Sequence, residues 1–402
     1  MTSNETAPPQ QFGDWQYSIY LRALAGEPPD HPFSWEDLER RAAESVEAGP
    51  RGFVWGGAGT GDTMRANLDA LRRWRIVPRM LCDTSQRDLR TTVLGTEMPA
   101  PVLLAPIGVQ TILHPDGELA SARAAAALGV PLIASTAAAH SLEDVAAAAG
   151  DAPRWYQLYQ PKDDEITKSL VGRAEQAGYG AIVLTLDSVF LGWRPADLAT
   201  GYLPFLEGTG IAQFLTDPVF RSQLARTPEE DLEAAVTHWA GLVNKVVTWD
   251  DLEFLRSLTS LPILLKGILH PDDARLAREH GVHGVIVSNH GGRQVDGSIA
   301  ALDALPAVVE AIDGAMPVLF DSGIRSGADV VKALALGADA VLVGRPFLWG
   351  LALGGQAGVE AVLRMLLAEL DLTLALSGCT RPAELGRSSL ARVPVDPSHT
   401  LA

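Results

Sequence analysis

Two cysteines in a chain of 402 residues, Cys82 and Cys379, are too few for a disulfide framework and have no metal-ligand spacing. Positive charge is also scarce: 32 Lys and Arg face 49 Asp and Glu, a formal net charge of −17. That balance opposes nucleic-acid binding, which needs a basic footprint. No apolar run reaches the ~18 residues of a membrane span. The segment Met1–Gln11 is polar and Pro-rich, without the basic and apolar regions of a secretory signal. These absences predict a cytoplasmic protein with no metal site and no membrane or nucleic-acid partner. An acidic surface repels small acids at long range, so an acidic substrate would need a locally basic pocket.

What is present is a rhythm. Short apolar runs rich in β-branched residues are Val102–Ala105, Pro131–Ser135, Trp155–Tyr159, Ala181–Leu186, Ile263–Lys266, Gly284–Ser288, Val318–Asp321 and Ala340–Val343. Between them lie Gly117–Leu128, Ser141–Ala149, Asp163–Ala177, Pro271–His280, Ala301–Ile312 and Gly327–Leu336, with apolar residues at helical spacing and openings in Pro, Ser or Asp. Eight strand-plus-helix units over about 250 residues predict a parallel (β/α)8 barrel of the TIM type. A doubly wound open sheet would show a G-x-G-x-x-G turn after its first strand, and none follows Val102–Ala105.

The rhythm divides the chain. Residues 1–100 read as an N-terminal helical segment packed on the barrel, with Ser34-Trp35-Glu36-Asp37 as a helix start. The barrel spans 101–390, and 391–402 form a C-terminal tail. After the fourth strand a long insertion, about 195–251, carries several Gly and Pro and then a helical pattern from Pro228 to Val246. An insertion there lies on the catalytic face and reads as a lid, an oligomer contact, or both.

In such a barrel the chemistry gathers at the C-terminal strand ends. Those positions read Pro106-Ile107-Gly108, Ser135, Gln157 and Tyr159, Thr185 and Asp187, Lys266, Ser288 and His290, Asp321-Ser322-Gly323-Ile324-Arg325, and Gly344-Arg345. The loops after strands seven and eight each supply Gly plus Arg, which suits a phosphate-bearing cofactor. The stretch Ser288-Asn289-His290-Gly291-Gly292-Arg293 puts an imidazole three residues from a guanidinium in a Gly-rich loop. A base beside an anion clamp is what proton or hydride abstraction from a carboxylate substrate needs. A surface turn with a spare His and Arg is the plain alternative. The remaining histidines lack a partner motif and read as structural or solvated. Gly56–Gly61 looks like a phosphate loop but has no following Lys-Ser or Lys-Thr, so it reads as a turn.

From about Trp15 to Leu390 the chain resembles the FMN-dependent α-hydroxy-acid oxidases and dehydrogenases. The resemblance rests on Leu103–Gly108, Tyr156–Tyr159, Leu184–Asp187, Lys266–Ile268, Ser288–Arg293 and Asp321–Arg325. Within that family, Gly192–Leu198 and Leu215–Phe220 are most similar to the lactate monooxygenases. The resemblance implies bound FMN, a small L-2-hydroxy acid as substrate, O2 as electron acceptor and a homo-oligomer, tetramer or octamer. It implies His290 as base, Asp187 as its orienting partner, Arg293 and Arg194 as carboxylate clamps, and Tyr159 as a donor to the substrate oxygen. Lys266 would face flavin N1–O2. Gln157, Thr185 and Ser135 would bond the flavin edge, Pro106, Ile107 and Gly108 would lie against it, and Ser288 would reach the ribityl side. Asp321, Gly323, Arg325, Gly344 and Arg345 would hold ribityl and phosphate.

Two positions depart from the family pattern. Phe53 stands where relatives commonly have a Tyr that donates to the substrate carboxylate, and Ala137 stands where they carry a bulky side chain. The outcome of the reaction stays open between a monooxygenase (lactate to acetate, CO2 and water) and an oxidase releasing 2-oxo acid and H2O2, on lactate or on a larger or aromatic hydroxy acid. A dehydrogenase passing electrons to a quinone or cytochrome, and a non-redox phosphate-binding barrel, are the other readings.

Overall fold

In a computed structural model that describes residues 11–394 except 28 and 30, eight parallel strands close into a barrel. They are β1 (Val102–Leu104), β2 (Leu132–Ser135), β3 (Arg154–Leu158), β4 (Ile182–Thr185), β5 (Ile263–Ile268), β6 (Gly284–Val287), β7 (Val318–Phe320) and β8 (Ala340–Val343). They follow one another around the ring, and β8 pairs with β1 through Val341↔Val102 and Val343↔Leu104. All eight runs predicted from the sequence are these strands.

Their near-continuous apolar sequence has a two-sided cause. Along each strand, alternate residues face opposite ways. Leu103, Ile133, Trp155, Val183, Leu264, Ile286, Leu319 and Leu342 meet in the barrel interior. Leu104, Leu132, Tyr156, Ile182, Leu265, Val285, Phe320 and Val341 pack outward with residues of the surrounding helices. Both faces are dry, so both sets must be apolar.

The N-terminal segment departs in part from the helical expectation. Helices Trp15–Leu24, Trp35–Ser45, Ala48–Trp55 and Asp62–Arg72 are present, and Ser34 Oγ caps the second by accepting from Asp37 N at 3.1 Å. Residues 74–98, however, hold no helix and run as irregular chain between three short strands. Thr91–Val93 and Thr96–Met98 form a hairpin whose Val93 and Met98 join the interior cluster. Thr96 Oγ1 accepts the Trp155 indole N–H at 2.9 Å. Trp155 is the second residue of its strand, so the hairpin stoppers the end where the strands begin. The opposite end is left as the mouth. Trp74–Ile76 pairs antiparallel with Leu390–Arg392, so part of the expected tail is a strand; residues 395–402 lie outside the described residues.

The insertion after β4 folds into short helices, including Pro195–Thr200, Pro218–Ser222 and Leu232–Leu242. Asp217 is fully buried there. One carboxylate oxygen caps Pro218–Ser222 by accepting from Val219 N and Phe220 N, and the other accepts from Arg173 and Ser169 of the helix Asp164–Gln176. That pins the insertion to the barrel wall. The chain's last long helix, Arg345–Leu376, was not foreseen as one element. It is broken at Gly354 and Gly355, whose non-helical angles interrupt its period.

The hairpin stopper gives a direct stability test. Trp155→Ala removes a fully buried indole and its bond to Thr96, and should destabilise the protein by about 3–5 kcal/mol in denaturant unfolding. A loss under about 1 kcal/mol would mean the interior is not packed around it.

Candidate active site

The open mouth holds a cavity of about 430 Å³, within the range of small-molecule sites. Its polar wall comes from strand ends because a barrel's side chains are free of their layers only there. Pairing sets the order around the rim: Ser135 lies opposite Gln157, and Thr185 opposite Lys266. Of the residues singled out in the sequence, Phe53, Pro106, Ile107, Gly108, Ser135, Ala137, Tyr159, Thr185, Arg194, Lys266, His290, Arg293, Asp321, Gly323, Arg325, Gly344 and Arg345 line this one cavity. Gln157, Asp187 and Ser288 stand directly behind the lining. Gln157 accepts from Ser135 Oγ at 3.1 Å, Asp187 bonds His290, and Ser288 Oγ accepts from Lys266 Nζ at 3.0 Å.

His290 and Asp187 form the central pair, Nδ1 to Oδ1 at 2.8 Å. Ser188, which the sequence reading missed, sits 3.1 Å from the same nitrogen and bonds the same carboxylate. The sequence signal for it was only adjacency to Asp187. With Nδ1 committed to a carboxylate, the neutral ring keeps Nε2 as its acceptor. Burial lowers the pKa of His290 from its ordinary value of 6.5, against the pull of the Asp187 charge. The imidazole is thus neutral at physiological pH. Burial pushes the Asp187 carboxyl up, but His290 and Lys266 outweigh it and hold the group at about 2.

The mouth is cationic although the chain is acidic. Lys266 is buried 3.4 Å from Asp321; burial pulls its pKa down, and the Asp321 and Asp187 charges raise it above the ordinary value. Arg293 donates to Gly56 O at 2.7 Å and stacks over the Phe53 ring at 5.3 Å. Arg345 donates to the carbonyls of Val54, Gly56 and Gly291 at 2.9–3.1 Å. The Gly56 carbonyl thus braces two guanidiniums, while the far end of the Gly56–Gly61 turn holds the chain's own Asp296 carboxylate through Thr60 N and Oγ1 at 2.6 and 2.8 Å. Arg325 stacks over Trp349 at 5.0 Å. Burial lowers the pKa of Arg194, Arg293 and Arg325 and brings Arg345 down to about 9, still cationic at neutral pH. Desolvated cations with few carboxylates nearby favour anionic ligands.

Gly108 has a steric reason independent of any ligand. A Cβ there would lie 2.1 Å from the Ala137 carbonyl oxygen, which Val109 N uses for a hydrogen bond at 2.9 Å. Beyond Ala137 the cavity continues between apolar residues of the insertion, among them Leu203, Phe205, Trp239, Val243 and Val247.

Residues 42–392 match the model of the FMN-dependent dehydrogenase family. The chain is 46% identical to L-lactate oxidase of Lysinibacillus sphaericus over 366 residues, 90% of this chain and 93% of that protein. It is 42% identical to human 2-hydroxyacid oxidase 1 over 363 residues, 89% of this chain and 96% of that protein. A mandelate oxidase variant solved with an FMN adduct superimposes with a TM-score of 0.78 at 39% identity, covering 89% of this chain and 100% of that one. Match, likeness and mouth agree: this chain belongs to the FMN-dependent α-hydroxy-acid oxidases and dehydrogenases.

Proposed function

We propose that the protein oxidises an L-2-hydroxy acid with O2 as final acceptor, and that with lactate it acts as a monooxygenase giving acetate, CO2 and water. The observation that carries this is the meeting, in one cavity, of a neutral imidazole backed by a carboxylate and the guanidiniums of Arg194 and Arg293. The proposal includes a cytoplasmic homo-oligomer, tetramer or octamer. Among the described residues no helix is long and apolar enough to cross a membrane.

The residues present fit FMN. Among the described residues Gln157 Nε2 and Thr185 Oγ1, buried at neighbouring strand ends, have no hydrogen-bond partner, and such groups need one. A flavin edge would supply it, with Pro106, Ile107, Gly108 and Ser135 lining the space beside them. Arg325, Gly323, the start of the helix at Gly344–Arg345 and its backbone N–H groups suit the phosphate. Asp321 and Ser288 hold the Lys266 ammonium at the cavity wall, where it would face the flavin. When bound, FMN takes up the two electrons released as the alcohol becomes a ketone.

The chain's own groups do the rest. Arg194 and Arg293 fix the substrate carboxylate, which sets which face of the α carbon is presented. His290 Nε2 receives the hydroxyl proton, and Asp187 stabilises the imidazolium that results. Burial, with the Asp187 charge, raises the pKa of Tyr159, so its phenol remains a donor to the substrate oxygen. Lys266 keeps a fixed positive charge at the cavity wall, which would stabilise the reduced flavin. The insertion closes over the site as a lid, and product retention under it decides between monooxygenase and oxidase outcomes. The likeness of Gly192–Leu198 and Leu215–Phe220 to the lactate monooxygenases supports retention.

His290→Gln should keep FMN bound but slow anaerobic flavin reduction at least about a hundredfold. In the wild type, reduction should weaken along an acidic limb below pH 6.5, because the base acts unprotonated and burial lowers its pKa. Asp187→Asn removes the charge that raises this pKa, so the limb should move to lower pH. A limb that stays put or moves up would show that another group titrates.

Aerobic turnover of lactate should yield acetate with little peroxide; stoichiometric pyruvate and peroxide would establish the oxidase outcome instead.

Phe53 supports a second reading. It contacts Arg293, Tyr202 and Phe205 and offers no hydroxyl, and with Ala137 it opens toward the apolar extension of the cavity. If lactate is the substrate, Phe53→Tyr should tighten its binding about tenfold through a bond to the carboxylate. If a longer or aromatic 2-hydroxy acid is, the same change should help lactate little and weaken 2-hydroxyhexanoate or mandelate. Titrating the flavin spectrum with all three decides, and three unchanged affinities would remove Phe53 from the site.

A further inference from the structure

The loop from Asp187 to Arg194 carries two groups of the proposed site at its two ends, the carboxylate behind His290 and one carboxylate clamp. Packing does not hold its middle. Phe190, Leu191 and Trp193 are 69%, 58% and 73% exposed. Polar contacts hold it instead, and they converge on one half-buried side chain. Gln294 Nε2 donates to Asp187 O at 2.6 Å and to Phe190 O at 2.9 Å. Gln294 Oε1 accepts from Arg194 Nη2 at 2.6 Å and from Gly192 N at 3.4 Å. Both donors and both acceptor positions of the amide are used.

The main chain confirms how close the contact is. Arg194 Nε donates to Arg293 O at 3.1 Å, and Trp193 O accepts from Gly59 N at 2.7 Å. A Cβ on Gly192 would stand 2.5 Å from Arg293 O and 2.7 Å from Gln294 O, so only glycine lets the loop lie this near. Gln294 follows Arg293 directly, so the loop bearing His290 and Arg293 is latched to the loop bearing Asp187 and Arg194.

We propose that Gln294 is a positioning residue that couples substrate-carboxylate binding to proton abstraction by fixing Arg194 and the backbone of Asp187 together. The proposal rests on the 2-hydroxy-acid reading of the site. It makes no contact with flavin or substrate part of the role. The two halves of the amide divide the work: the oxygen orients Arg194, and the nitrogen orients the Asp187 end of the loop. An amide is required, because a carboxylate at 294 keeps the first bond and loses the second.

Two variants separate these halves, with flavin content, KM, kcat and the pH profile as readouts. Gln294→Leu removes every bond. It should retain FMN, raise KM for the 2-hydroxy acid about tenfold or more, lower kcat, and displace the acidic limb from its wild-type position. Gln294→Glu keeps an acceptor for Arg194 and puts a repelling oxygen against Asp187 O. It should return KM most of the way to wild type while kcat stays low. The proposal is overturned if Gln294→Leu has wild-type KM, kcat and pH profile, if Glu and Leu are equally impaired in KM, or if both lose FMN and fold together. A wild-type flavin that no 2-hydroxy acid reduces would instead sink the underlying reading of the site.

Discussion

Desolvated positive charge is the constraint around which this molecule is arranged. Lys266, Arg194, Arg293, Arg325 and Arg345 converge on the open end of the barrel in a chain whose formal net charge is −17. Cations out of water are costly unless hydrogen-bonded or paired. The structure meets that cost chiefly with carbonyl oxygens. Gly56, Val54, Gly291 and Arg293 all turn their carbonyls toward guanidiniums, and among the described residues only Lys266 and Arg194 of these five cations have a carboxylate within 4 Å, at 3.4 and 3.9 Å. Carbonyls hold the charges in place without neutralising them. The field at the mouth therefore stays positive and is available to an anionic ligand.

The field is presented from two groups of loops around the one cavity. The loops after β7 and β8 offer glycine backbone, a helix start and Arg325, which suits a phosphate. The loops after β4 and β6 offer Arg194 and Arg293 beside a neutral imidazole, which suits a carboxylate next to a removable proton. Burial serves both ends of this arrangement: it keeps His290 unprotonated and leaves the guanidiniums short of solvent. The insertion supplies the apolar remainder of the wall, which continues past Phe53 and Ala137.

The barrel was readable from sequence because a parallel strand dry on both faces must be apolar throughout, and eight such runs alternate with helical stretches, with one long insertion after the fourth. The lining was readable because Ser288–Arg293 and Asp321–Arg325 are contiguous and rich in chemistry. The hairpin at Thr91–Met98 was not. Its strands are three residues each, and what fixes them is Trp155, more than fifty residues away. The break at Gly354–Gly355 likewise hid a single long helix, since the apolar period changes phase there. Ser188 and Gln294 escaped notice because their neighbours Asp187 and Arg293 carry charge while they carry only hydrogen bonds. Their partners, about a hundred residues off, are visible only once the loops meet.

The central claim is that the cationic mouth recognises a carboxylate as the condition for flavin reduction. Its most direct test is the anaerobic reduction of the bound flavin by a 2-hydroxy acid, compared with reduction by the uncharged amide of the same acid. Losing the charge removes a charge-assisted, bidentate contact, so the amide should be slower at limiting concentration by about a hundredfold or more. Equal rates for acid and amide would contradict the account, because the guanidiniums at Arg194 and Arg293 would then have no part in choosing the substrate.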